Sequence, residues 1–196
     1  MRFIKKLFPL FFSIATLFNF ALVAHAEILK VCVEGDPILR TKCSPVENFD
    51  ESTHIKIQNI KDTFLSLKNG AGLASTQVGY TDRFFVISQE SEGELIYDNK
   101  ELHRKPGQPL VFINPNIAET SGNQISWEGC FSLPGYIYKT ERPLNVTIKA
   151  FDENGNKFTF KATGFWAKCV CHENDHLDGK LCKDKALEEQ EVPKDE

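Results

Sequence analysis

The chain has 196 residues, 41% hydrophobic and 26% charged, with 27 acidic against 23 basic side chains. That is enough for one domain with a sizeable core, in proportions ordinary for a globular protein. An acidic balance without a basic block argues against nucleic acid as the main partner.

Residues 1–26 open with Arg2, Lys5 and Lys6, continue as a long apolar run and end in Ala24-His25-Ala26. This is a secretory leader in outline, with cleavage expected after Ala26 and a mature chain from Glu27. A hydrophobic N-terminal helix, an uncleaved anchor and an untranslated upstream extension are the alternatives. Cleavage removes three basic residues and no acidic one, so 20 basic face 27 acidic and the formal charge moves from −4 to −7. All six cysteines, Cys32, Cys43, Cys130, Cys169, Cys171 and Cys182, lie beyond the leader. An even count in an exported chain invites a disulfide reading, with Cys32–Cys43 the simplest pair and Cys182 able to meet Cys169 or Cys171.

Residues 28–33 suit an extended segment, turned by Gly35-Asp36-Pro37. Asp50, Ser52 and Thr53 are candidate caps for a helix whose Ile57, Ile60, Phe64 and Leu67 recur every three or four residues. Asn69-Gly70 ends it. Residues 70–79 (GAGLASTQVG) are a loop by composition, and 84–88 (FFVIS) are a strand. Residues 91–108 are a polar surface excursion. A short strand at 110–113 is stopped by Asn114-Pro115, and another at 125–127 leads into Glu128-Gly129-Cys130. Residues 145–150 and 158–162 alternate as strands joined by a hairpin loop at 152–156. From Gly164 to His176 the period becomes helical and Asp178-Gly179 terminates it. Residues 183–196 read as a charged, frayed tail. One late helix after several strands indicates an α+β domain over residues 27–182.

His172-Glu173-Asn174-Asp175-His176 has the H-E-x-x-H pattern. On a helix the two histidines share a face, so both rings can reach one metal while Glu173 takes a proton from water. A catalytic site needs a third protein ligand and an open position. Cys130 is the best candidate, because Gly129 permits close backbone approach. A Cys/His/His set can hold ferrous iron (Fe2+), Zn2+, Ni2+ or Co2+.

Three motifs in this order resemble those of the peptide deformylases: Gly70-Ala71-Gly72-Leu73-Ala74-Ser75-Thr76-Gln77, Glu128-Gly129-Cys130-Phe131-Ser132, and Cys171-His172-Glu173-Asn174-Asp175-His176-Leu177. The resemblance runs from about residue 28 to 183. It implies an α+β fold with a metal-binding helix set against antiparallel strands, and hydrolysis of the formyl group from the N-terminal methionine of polypeptides. It assigns Cys130, His172 and His176 to one metal, usually ferrous iron with zinc a less active substitute, and Glu173 to acid/base work. It gives Gln77 and the backbone N–H of Phe131 to the developing oxyanion. Gly70, Ala71 and Gly72, with Gly129, border the substrate, and the first of these segments pairs with its backbone like an added strand. An unbranched apolar first side chain is implied, with Ala71 and Val170 compatible with its pocket, and a monomer is expected.

The departures are Ser75 where the family usually has Ala, Phe131 for Leu, Cys171 for Gln, and Lys168 where Arg or an apolar residue is common. The leader is the sharpest departure, since deformylation belongs on the cytoplasmic or organelle-matrix side. Location is therefore read as exported, with cytoplasmic as the alternative. An exported metal- or peptide-binding relative and another metal-dependent amidase or peptidase remain the competing functions.

Overall fold

The computed structural model describes residues 27–88, 90, 94–97 and 107–193. The expected leader and most of the excursion at 91–108 lie outside the described residues. Seven strands form one antiparallel sheet: β1 (Gly72–Ala74), β2 (Phe84–Ile87), β3 (Glu94–Tyr97), β4 (Leu110–Gly129), β5 (Tyr136–Phe151), β6 (Lys157–Thr163) and β7 (Ala186–Glu191). Their order is β1-β2-β4-β5-β6-β3, with β7 also paired to β5. Among the described residues two α-helices pack on it, α1 (Glu51–Ser66) and α2 (Gly164–His176).

The continuous apolar run of β2 is buried on both sides, as a strand between two helices must be. Phe85 and Ile87 join Phe112, Phe158 and Phe160 under Ala167 and Val170 of α2. Phe84 and Val86 turn the other way, toward Ile57, Ile60 and Phe64 of α1. Phe85 and Phe112 stack with ring centroids 4.7 Å apart. Each such side chain stabilises the fold by about 1.5–3 kcal/mol, so this three-layer region anchors α2.

Both helices follow their local signals. Asp50 caps α1 by accepting from the Thr53 N–H at 3.0 Å, and the chain leaves it through Asn69 at φ 60°. Beyond α2, Gly179 has φ 70°, and a Cβ there would lie 2.5 Å from the Arg40 carbonyl oxygen. Only glycine fits both conditions.

Three expectations are corrected. Asn114-Pro115 does not stop the strand at 113, because β4 runs for 20 residues with a register shift between Ile113 and Asn116. Asn114 supports that bulge at φ 50°, its amide exchanging two hydrogen bonds of 2.8 Å with the Val46 backbone. The tail is not frayed throughout, since β7 pairs with β5 from Tyr136 to Thr140 and Lys139 meets Glu188 at 2.7 Å. Finally, all six cysteines are free thiols, so neither Cys32–Cys43 nor a Cys182 pairing is made.

Candidate metal centre

The two histidines expected to share a face of α2 do so. His172 Nε2 and His176 Nε2 are 3.2 Å apart, and His176 Nε2 is 3.3 Å from Cys130 Sγ. All three ligand atoms lie within 4.8 Å of one another. Cys130 arrives from the end of β4, where the chain turns and the Leu133 N–H donates back to the Cys130 carbonyl at 2.9 Å. Strand end and helix thus meet at three soft donor atoms whose spacing fits one cation.

The orientation of His172 is set from behind. Its Nδ1 lies 2.9 Å from Glu128 Oε2, so Nδ1 carries the proton and the Nε2 lone pair faces the cluster. Glu128 Oε1 accepts from Thr140 Oγ1 at 2.5 Å and from Arg142 Nε and Nη2 at 3.0 and 2.9 Å. Arg142 Nη1 continues to Asp175 Oδ2 at 2.5 Å, and Lys185 closes the chain on Asp175. Glu128 and Arg142 are 6% and 3% exposed, so this is a buried chain of alternating charge joining β4, β5 and α2. Burial raises the Glu128 carboxyl, but the hydrogen bond and charge of His172, then Arg142 and Thr140, outweigh it and bring it to about 2.

The charge balance of the cluster asks for a cation. Burial disfavours an imidazolium at His172, yet Cys130 and Glu128 outweigh it and push that ring well above its ordinary pKa. Burial and the charge on His172 drive His176 well below its own. Two ring nitrogens 3.2 Å apart cannot both carry protons toward each other. A divalent ion can take the Cys130 sulfur and both ring lone pairs as ligands at once.

Glu173 stands beside this cluster, 4% exposed, with Oε2 lacking a hydrogen-bond partner among the described residues. Burial first, then the negative Glu128, raises its carboxyl to about 7 against the opposing pull of His172 and Arg142. That is where a group able to take and return a proton near neutrality is most effective. Its neighbour explains a glycine: a Cβ on Gly72 would lie 2.7 Å from Glu173 Cγ and Oε1. Gly70 is similarly constrained, with Phe131 ring atoms 2.8 Å from the place of a Cβ.

Gln77 sits in the short 3₁₀ turn Ser75–Val78 after β1. Its Oε1 accepts from the Ala74 N–H at 2.8 Å, while Nε2 points to Ser132 Oγ at 3.2 Å and Cys130 Sγ at 3.5 Å. The amide donor therefore faces the cluster. An open cleft of about 1060 Å³ leads to it, bordered by Gly70, Ala71, Gly72, Gln77, Gly129, Cys130, Phe131, His172 and Glu173. His176 is the innermost ligand, 1% exposed. Val170 is not in the cleft; it is fully buried in the core beneath α2.

Glu128, Arg142 and Asp175 were not legible as site residues beyond their place in or near motifs. Arg142 carried one faint signal, a charge on the inward side of strand β5, where buried Tyr138 and Thr140 share its face. Cys171, at the position where Gln is usual, is buried behind the ligands. Burial pushes its thiol up to about 11, with Arg142 opposing and Asp175 assisting.

A cysteine sulfur and two imidazoles around one cation position, a buried carboxyl group beside them and an open cleft are the parts of a metal-dependent hydrolase. The family model described as polypeptide deformylase matches residues 28–192. The peptide deformylase of Dictyoglomus thermophilum is 40% identical over 163 residues, covering 83% of this chain and 94% of its own. Peptide deformylase 2 of Clostridium acetobutylicum is 39% identical over 159 residues, covering 81% and 95%. Among solved structures, the Legionella pneumophila peptide deformylase superposes with a TM-score of 0.69 at 36% identity, covering 81% of this chain and 85% of that one. The Synechococcus elongatus enzyme in complex with actinonin gives 0.70 at 34%, covering 82% and 79%. The chain belongs to the polypeptide deformylase family.

Proposed function

We propose that Cys130, His172 and His176 hold one divalent metal in this family member, and that Glu173 is the acid/base with which it removes the formyl group from the N-terminal methionine of polypeptides. The observation that carries this reading is the buried Glu173 carboxyl group, its Oε2 without a hydrogen-bond partner among the described residues, beside three convergent ligand atoms. A bound cation would polarise the formyl oxygen and acidify an attacking water. Glu173 takes the proton of that water as its oxygen joins the formyl carbon. It returns the proton to the departing nitrogen as the C–N bond breaks, leaving formate and a free amine. Gln77 Nε2 and the backbone N–H of Phe131 receive the oxygen charge that develops at the carbon. Among the described residues β1 ends the sheet, so the segment Gly70–Gly72 that leads into it offers an edge to the substrate backbone, opposite Gly129.

Membership of the family supports ferrous iron as the active ion, and the Cys/His/His set can also hold zinc, nickel or cobalt. We further propose that residues 1–26 export the chain and are removed after Ala26, that residues 27–182 are the catalytic domain with β7 added to its sheet, and that it works as a monomer without a nucleic-acid partner. The deciding assay is formate release from formyl-Met-Ala-Ser by protein purified anaerobically with ferrous iron. Turnover is expected; cleavage of internal peptide bonds in preference to the formyl amide would contradict the reading.

A further inference from the structure

Gln77 and the turn that begins at Cys130 belong to no common strand or helix, yet they must aim two donors at one oxygen. Gln77 sits in a 3₁₀ turn of only four residues, a form whose own hydrogen bonds are poorly aligned. The other turn closes on a backbone bond from the Leu133 N–H to the Cys130 carbonyl. Donors misplaced by about 1 Å can cost on the order of 100-fold in rate, so the two turns need an outside reference.

Residues 27–34 supply one. This segment belongs to no strand or helix, and none of its residues borders the cleft. The Cys32 N–H donates to the Gln77 carbonyl at 2.7 Å, and the Glu34 N–H donates to the Ser132 carbonyl at 2.9 Å. Gln77 Nε2 donates in turn to Ser132 Oγ at 3.2 Å. Together these bonds close a ring through the segment, the Gln77 turn and the turn that carries Phe131. Within it Gln77 and Ser132 are 2% and 0% exposed. The segment is itself anchored on both sides of the ring. Glu27 N–H donates to Asn59 Oδ1 at 3.2 Å and Leu29 N–H to Thr63 Oγ1 at 2.8 Å, both on α1. Leu29 packs against the core cluster on which Phe131 also rests. Cys32 packs, like Cys130, against the cluster that holds Leu39, Leu133 and Tyr138, and Glu34 pairs with Lys183.

We infer that residues 27–34 are a strap that positions both oxyanion donors, the Cys32 N–H acting through Gln77 and the Glu34 N–H through Ser132 on the turn of Phe131. This rests on the deformylation reading of the site. The strap is tied to the two turns by backbone donors, which side-chain substitutions leave in place and proline removes.

The test deletes those donors one at a time. Cys32→Pro removes the N–H that meets Gln77 and Cys32→Ala keeps it; Glu34→Pro and Glu34→Gln form the same pair at Ser132. Thr63→Val loosens the strap at Leu29 without a proline, and serves where a proline variant does not fold. Each metal-loaded variant is assayed for formate release from formyl-Met-Ala-Ser, alone and combined with Gln77→Ala. The proline variants are expected to lose roughly 10- to 100-fold in kcat, up to the cost of one oxyanion donor, at unchanged KM and metal content. Thr63→Val should lose less in the same parameter, and Cys32→Ala and Glu34→Gln should stay near the wild type. In the Gln77→Ala background Cys32→Pro should cost little more, because both act on one donor. Hydrogen exchange reads the same strap without turnover. The Ala74 N–H donates to Gln77 Oε1 at 2.8 Å, so its exchange follows the Gln77 side chain. It should speed up by roughly tenfold in Cys32→Pro, the worth of one hydrogen bond, and by less in Thr63→Val. Wild-type exchange at Ala74 in both variants, or a Cys32→Pro loss that adds in full to that of Gln77→Ala, overturns the strap's role. No formate release from the wild type overturns the deformylation reading instead, and the exchange at Ala74 then decides the strap by itself.

Discussion

The two ends of α2 are held in opposite ways. Its last turns carry His172, Glu173 and His176, all nearly buried and braced by charges from β4 and β5. Its first turn carries Phe165, 53% exposed, and the next Lys168, tied by one hydrogen bond to a strand carbonyl. The difference marks where displacement is tolerated. Reaction geometry tolerates little displacement, so its ligands are fixed by a chain of buried partners that must all be present together. The solvent-facing wall is held more loosely, and a side chain there can change without disturbing that chain.

The comparison can be broken most severely at Arg142. Arg142→Met leaves Glu128 and Asp175 without their shared partner in the interior. A loss of about 3–5 kcal/mol is expected, as for one partner removed from a buried ion pair, measured by denaturant unfolding. A loss below about 1 kcal/mol would mean that the buried chain does not brace the catalytic end.

Acid provides a gentler probe of the same chain. Folding holds the Glu128 carboxyl at about 2, below the 4.5 of a free glutamate. Its stabilising contribution is therefore complete above about pH 4.5 and is lost as pH falls from there toward 2. The thermal midpoint of the wild type should lead that of Glu128→Gln at pH 6, and the lead should shrink through this window. A lead that stays constant down to pH 2.5 would contradict the assignment. The smallest effect belongs to the exposed pair Lys139–Glu188 between β5 and β7. Lys139→Ala should change stability by less than about 1 kcal/mol, and a larger loss would make β7 more than an edge strand.

The sequence made the catalytic end readable because its signals are local. The i, i+4 histidines, the glutamate between them and a helical period over 164–176 all lie within one segment, and α2 has those bounds. β2 was equally plain, since four large apolar residues in a row, too short a run for a helix, suit a strand covered on both faces. What was hidden depends on partners far along the chain. β4 passes Asn114-Pro115 because Val46, 68 residues away, accepts and returns the Asn114 amide bonds. β7 has no apolar alternation and is held by backbone pairing to β5. Arg142 answers Glu128 across 14 residues and Asp175 across 33, distances at which no spacing rule speaks. Lys168 was visible only as a departure from the family pattern, and its hold on the Trp127 carbonyl joins residues 41 apart in the chain.

The most direct measurement is formate release by the Glu173→Gln variant, with its metal content determined on the same sample. The amide is nearly isosteric and touches no proposed ligand atom, so the variant should carry the wild-type complement of metal. It should lose activity on the order of 100-fold or more, the range for a positioned acid/base, while a parallel Cys130→Ala variant loses metal and activity together. Wild-type turnover in metal-loaded Glu173→Gln would contradict the account.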